Sequence, residues 1–104
     1  MAQFDVYENP NEKTKSEIPF LLDLQAELLN PLATRVVAPL VSASVMDKPI
    51  AHLNPKFQIK RKAVCMSTAE LAGVPIRALG MKVGSLKDHR NTIIAALDFL
   101  FTGF

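Results

Sequence analysis

"SLKDHRNTIIAALDFLFTGF" occupies residues 85–104, and its periodicity sets it apart from everything before it. Ser85, three residues ahead of Asp88, is a capping-box signature in which a hydroxyl and a carboxylate satisfy free amides at a helix start. Leu86, Ile93, Leu97, Leu100 and Phe104 then recur at helical spacing. Ile94, Phe99 and Phe101 lie beside or across from that stripe, so the apolar surface is wider than packing on one side requires. The reading is a long C-terminal helix that touches its own barrel and a second molecule. Gly103 reads as the left-handed residue ending the helix, with Phe104 folded back onto Phe99. That account leaves the apolar surface around the terminal carboxylate unexplained.

Upstream the period falls to two. "AQFDVYE" alternates and is rich in aromatic and β-branched residues, so it reads as a first strand. "NPNEKTKSE" is polar and reads as a mobile surface loop. "IPFLLDLQAEL" places Phe20, Leu22 and Leu24 on one face of a strand and Leu21, Asp23 and Gln25 on the other. "ATRVVAPLVSA" is a further strand whose Pro39 should mark a strand end, an edge or a bulge, since proline cannot donate to a ladder. "VMDKPIAHLNP" is a connection with room for a short helical turn. "KFQIKRKAVCM" reads as a hairpin turning at Lys60–Lys62 without an Asn-Gly or Asp-Gly signal. "TAELAGVPIRALG" should turn at Gly73 and continue as a strand from Val74 to Leu79. The fold class is therefore mostly β, and a small antiparallel barrel hides strand edges most economically in so short a chain.

The 104 residues are most simply one domain, 1–104, and at 49% hydrophobic they should fold around a real core. A lone core of this size is only modestly stable, which favours a dimer. The net charge of +2 is far from the strongly basic surface of a dedicated nucleic-acid binder. Cys65 is the only cysteine, which excludes an internal disulfide and points to a reducing, cytoplasmic compartment. No signal-peptide pattern opens the chain, and no apolar run approaches the ~18 residues of a membrane span.

Little in the sequence points to catalysis. There is no phosphate loop, no paired-cysteine metal pattern and no nucleophile elbow. His52 and His89 lack partners at ligand spacing. "DHR" at 88–90 puts an acid, a base and a cation side by side, but consecutive helical residues point in different directions, so it reads as a solvated first turn. Cys65 lies in an apolar strand and reads as a buried, inert thiol. Asp23 and Arg35 both fall within apolar strands; they read as a structural ion pair, with an acid–base pair for RNA cleavage as the sharper alternative. The cations at 60–62 read as a solubilising turn.

"QFDVY", "LLDLQAELL", "TRVVAPLVSA", "GVPIRALG" and the closing helix ending Thr102-Gly103-Phe104 together resemble the CcdB family, toxins of the CcdA–CcdB addiction modules of plasmid type. The resemblance covers nearly the whole chain. It implies an SH3-like β-barrel with a C-terminal helix, a homodimer, no cofactor, no metal and no enzymatic activity. It implies binding to the A subunit of DNA gyrase and trapping of gyrase on cleaved DNA. It also implies a CcdA-like antitoxin whose flexible tail removes the toxin from gyrase, and repression of the operon by the joint complex. DNA is then met only through gyrase or the antitoxin complex. The gyrase-binding residues it implies are Leu28, Leu29, Asp98, Phe101, Thr102, Gly103 and Phe104. Antitoxin contacts fall on Glu8, Asn9, Lys13, Asp47 and Lys48, and the dimer interface on Ile93, Leu97, Leu100 and Phe104. The best-known member ends Trp-Gly-Ile, so Thr102 departs from the pattern at the large aromatic. Two other readings stay open: an endoribonuclease toxin of the same barrel superfamily using Arg35 and Asp23 or a nearby Thr, and an inactive antitoxin-binding or repressor relative.

Overall fold

Proline at the centre of a strand needs a place where no donor is wanted, and that need organises the sheet. The computed structural model describes residues 1–103. Its longest strand, β3 (Thr34–Ser42), pairs along one side with β2 (Phe20–Asp23), Leu21 opposite Pro39. Along its other side it pairs first with β6 (Ala72–Pro75), up to Val37, and then with β5 (Lys62–Met66), from Leu40 onward. Pro39 falls in the gap between those partners. Its carbonyl accepts the Ser67 N–H at 2.9 Å, so its missing donor faces the same gap. The proline marks a change of partner inside a strand, not a strand end.

β1 (Asp5–Glu8) pairs with β2 and with β7 (Lys82–Ser85), and β4 (Lys56–Ile59) closes the other edge on β5. The order β4-β5-β3-β2-β1-β7, with β6 beside β3, makes an antiparallel sheet curled into a half-open barrel. The expected alternation holds in β2: Phe20, Leu22 and Leu24 join the core with Val6, Leu40, Phe57, Val64 and Met66. The chain's one α-helix among the described residues, α1 (Arg90–Thr102), closes one side of that core with Ile93 and Ala96, both fully buried.

Several boundaries differ from the sequence reading. β1 begins only at Asp5, because Phe4 adopts a left-handed backbone (φ 71°) to give its N–H to the Asp23 carbonyl. Gly73 is not a turn: it pairs with Val36 within β6, and the strand stops at Pro75, where a 3-10 turn over Ile76–Ala78 replaces the strand expected through Leu79. The helix starts later than Ser85, which still belongs to β7. Ser85 Oγ accepts the Lys87 N–H at 3.2 Å, a 3-10 turn over Lys87–His89 follows, and no Asp88 bond completes the capping box among the described residues. The loop after β1 is no loose segment. Asn9 Nδ2 donates to Thr14 Oγ1 and the Ile18 carbonyl, and successive turns bind Thr14 and Lys15 to Asn11.

The hairpin at Lys60–Lys62 is present and tighter than its sequence suggests. Ile59 pairs with Lys62 across a two-residue turn, and Lys60 (φ 48°) and Arg61 (φ 67°) are both left-handed. This is type I′ geometry, which Asn-Gly occupies at far lower cost.

Candidate functional site

α1 spends its apolar surface unequally. Ile93 and Ala96 face the core, Leu86 joins them from the preceding turn, and Ile94 and Leu97 pack at the margin. Two histidines brace the helix against the barrel: the His89 ring stands edge-on to Phe57 at 5.2 Å and His52 edge-on to Phe99 at 6.5 Å. Neither contact was visible in the sequence. His52 also holds a left-handed backbone (φ 70°).

Beyond Leu100 the helix leaves its own domain. Asp98, Phe101, Thr102 and Gly103 are all exposed, and Phe101 is 71% accessible, a large aromatic left mostly uncovered by the described residues. Thr102 turns its hydroxyl back to the Asp98 carbonyl at 2.6 Å. Gly103 sits at φ 79° and donates its N–H to the Phe99 carbonyl at 2.9 Å, the left-handed helix stop expected of it. The fold-back of Phe104 onto Phe99 falls outside the described residues.

A second apolar cluster lies where β2 leads into a 3-10 turn over Glu27–Leu29. Leu28 is 91% accessible, and Leu29 and Leu32 are about half so. Hydrogen bonds tie these neighbours together: Leu32 N–H to the Leu29 carbonyl and Ile76 N–H to the Ala33 carbonyl. Exposed Ile76 and Leu32 thus extend the Leu28–Leu29 surface. Sequence reasoning missed both, because "NPLA" looks like an ordinary connection and the pattern puts Ile76 inside a strand that ends at Pro75.

The residues expected to meet an antitoxin lie on two segments whose flanks are hydrogen-bonded to one another. Ser42 at the end of β3 donates its N–H to the Glu17 carbonyl (2.8 Å) and its hydroxyl to the Ser16 carbonyl (3.3 Å). These bonds seat the loop carrying Asn9 and Lys13 beside the chain that runs on to Asp47 and Lys48. Glu8, Lys13, Asp47 and Lys48 are exposed, whereas Asn9 is half-buried and uses its side chain to hold the loop. Ile93, expected at a dimer interface, is fully enclosed in its own core and has no surface to offer a second copy; Leu97 and Leu100 are half-buried.

Asp23 and Arg35 form the structural pair. Nη2 and Nε of Arg35 lie 2.6 and 3.0 Å from Asp23 Oδ2, both side chains are 0% exposed, and Arg35 Nη1 is held by Asn30 Oδ1 at 2.7 Å. Asp23 Oδ1 accepts the Gln25 N–H. Every polar atom of the pair is engaged within the fold, and none is open to a substrate. Cys65 is buried in β5 as expected. Among the described residues no cluster of His, Cys, Asp or Glu has the arrangement of a metal site, and no helix is long and apolar enough to cross a membrane.

Against known families, residues 3–103 match the one described as CcdB protein. The chain belongs to the CcdB family. The match spans β1 to Gly103, so the half-barrel, the exposed last turn and the Leu28–Leu29 cluster all lie within it. Membership makes the chain a toxin of the CcdA–CcdB toxin–antitoxin type.

Proposed function

We propose that this CcdB-family chain acts as a homodimer that binds the A subunit of DNA gyrase and holds the enzyme on cleaved DNA, without catalysis of its own. The observation that carries the reading is the pair of exposed apolar clusters, Phe101 at the end of α1 and Leu28–Leu29 after β2, on a chain of this family. Central aromatic anchors commonly contribute ~2 kcal/mol or more to an interface, and a dimer presents each of them twice. Leu97 and Leu100 join the two copies. A CcdA-like antitoxin docks on the loop carrying Glu8, Asn9 and Lys13 and on Asp47–Lys48, and the joint complex represses its own operon. The protein works in the cytoplasm, where gyrase is.

Purified protein added to gyrase and supercoiled plasmid should give linear DNA after detergent and protease treatment, and Phe101→Ala should abolish it. Leu100→Asp should give monomers by light scattering. Thr102 favours a second reading, an inactive relative, because its hydroxyl is turned back on Asp98 and offers no aromatic surface. A folded dimer that binds the antitoxin yet leaves gyrase untouched decides for that reading.

A further inference from the structure

The β4–β5 hairpin combines an open sheet edge with a concentrated positive charge, and the site residues proposed above use neither property of β4. β4 ends the strand order, so among the described residues one side of it has no partner strand. Ile59 and Phe57 pair with Lys62 and Val64 across the tight turn, which directs the backbone N–H and C=O of Lys56 and Gln58 outward. Phe57 and Ile59 turn their side chains into the core, while those of Lys56 and Gln58 are exposed. Beside this edge lies an open cavity of about 540 Å³ bounded by Lys56, Phe57, Gln58 and His89.

Four of the chain's twelve Lys and Arg residues, and none of its ten Asp and Glu residues, fall within 56–62. A lysine on an edge strand can serve merely to prevent self-association, and Lys56 alone would meet that need. Lys60 and Arg61 are different. They occupy two consecutive left-handed positions where Asn-Gly is less strained, so cations are kept at the tip at a backbone cost.

We propose that the outer edge of β4 is a strand-addition site for an extended acidic peptide segment of another chain. The segment's backbone pairs with the outward groups of Lys56 and Gln58. Its residues opposite Phe57 enter the cavity beside His89, and its alternate residues carry the carboxylates that face Lys56, Lys60 and Arg61. This site is independent of gyrase binding, and it differs from the Asn9–Lys13 and Asp47–Lys48 surfaces.

The test is fluorescence anisotropy with the full chain and a labelled heptapeptide alternating Glu and Val. The Glu peptide should bind and a Lys/Val counterpart should not. Gln58→Pro removes one outward N–H without touching the β5 ladder, and it should weaken binding at least ~10-fold while the melting temperature holds. Lys60→Asn with Arg61→Gly should weaken binding several-fold and flatten its salt dependence. If Gln58→Pro unfolds the chain, amide exchange in the unaltered protein decides: saturating peptide should slow exchange at Lys56 and Gln58. The proposal is overturned by unprotected amides, by no binding of the Glu peptide, by peptide binding that a folded Gln58→Pro variant leaves unchanged, or by an oligothymidylate that binds as tightly as the Glu peptide.

Discussion

Arg35 and Asp23 lie face to face in a space closed to water, the guanidinium Nη2 2.6 Å from Asp23 Oδ2, and they join β3 to β2 at the point where Val37 pairs with Asp23. Each partner is costly without the other. Removing one member of such a buried pair leaves an uncompensated charge, typically at ~3–5 kcal/mol, whereas replacing both with apolar groups of similar size is often near neutral. Asp23→Ala should therefore lower urea-unfolding stability by several kcal/mol, and Asp23→Leu with Arg35→Met should recover most of it. If the double variant also kept full toxicity in a growth assay, the pair would have no part in chemistry.

The hairpin tip gives a second expectation, of opposite sign. Lys60 and Arg61 hold positive φ values where Asn and Gly are the least strained residues. Each left-handed L-residue costs roughly 1–2 kcal/mol, less for Asn and least for Gly. Lys60→Asn with Arg61→Gly should raise stability by about 1 kcal/mol or more, read as a higher urea midpoint at unchanged slope. An unchanged or lower midpoint would show that the turn is not under backbone strain.

The hydrophobic period of residues 93–100 and the alternation of Phe20, Leu22 and Leu24 could be read directly, because burial on one face writes a pattern of two or 3.6 into the sequence. Pro39 was harder. Its meaning depends on a change of neighbour between β6 and β5, which is a property of topology and leaves no local trace. The same holds for the apolar surface of Leu32 and Ile76, drawn together by hydrogen bonds between distant segments. The exposed last turn was legible as an excess of apolar residues, but the division of labour within α1 was not. Ile93 and Phe101 look alike as hydrophobic residues, and only the position of the barrel decides that one is core and the other is surface.

Gly80 is fixed by contact rather than by torsion. Its N–H donates to the Glu8 carbonyl at 2.9 Å, and a Cβ built at Gly80 would stand 2.7 Å from that same oxygen. The obstacle is backbone, so it cannot rotate away as a side chain would. Gly80→Ala should push the end of β1 outward and cost on the order of 1–3 kcal/mol. Gly73→Ala, with nothing within 4 Å of its Cβ, serves as the neutral comparison. Equal melting temperatures for the two variants would contradict the contact.

Tyr7 sets a limit at high pH. Burial pushes its hydroxyl above the ordinary tyrosine range, and the Asp5 carboxylate, which accepts its hydrogen bond at 3.4 Å, pushes further in the same direction. A group whose folded pKa is raised keeps its proton longer folded than unfolded. The folded state then binds more protons, and stability falls as pH rises past the ordinary tyrosine value. The contribution is whole below about pH 10 and is lost as pH climbs through the folded value. Tyr7→Phe should be less sensitive to a change from pH 9 to pH 11 than the unaltered chain. Parallel losses in both would place the alkaline sensitivity elsewhere.

The last turn of α1 should separate toxicity from stability. Gly103 lies after the helix, and among the described residues no atom comes within 4 Å of a Cβ added to it, so a side chain there meets none of them. Its only folding cost is the left-handed torsion, roughly 1 kcal/mol for an L-residue. Phe101 is 71% exposed among the described residues, and its truncation removes little buried area. Ile93, eight residues earlier and fully buried, is the contrast, since cutting it to Ala should cost about 2–5 kcal/mol. Gly103→Glu and Phe101→Ala should therefore melt within a few degrees of the unaltered protein and still bind antitoxin, yet fail to kill a sensitive host. Ile93→Ala should lose stability first and toxicity only as a consequence. The decisive measurement is growth on induction paired with thermal melting for all three. If Gly103→Glu and Phe101→Ala still arrest growth at unchanged expression, the exposed turn is a helix end and nothing more, and the gyrase surface lies elsewhere.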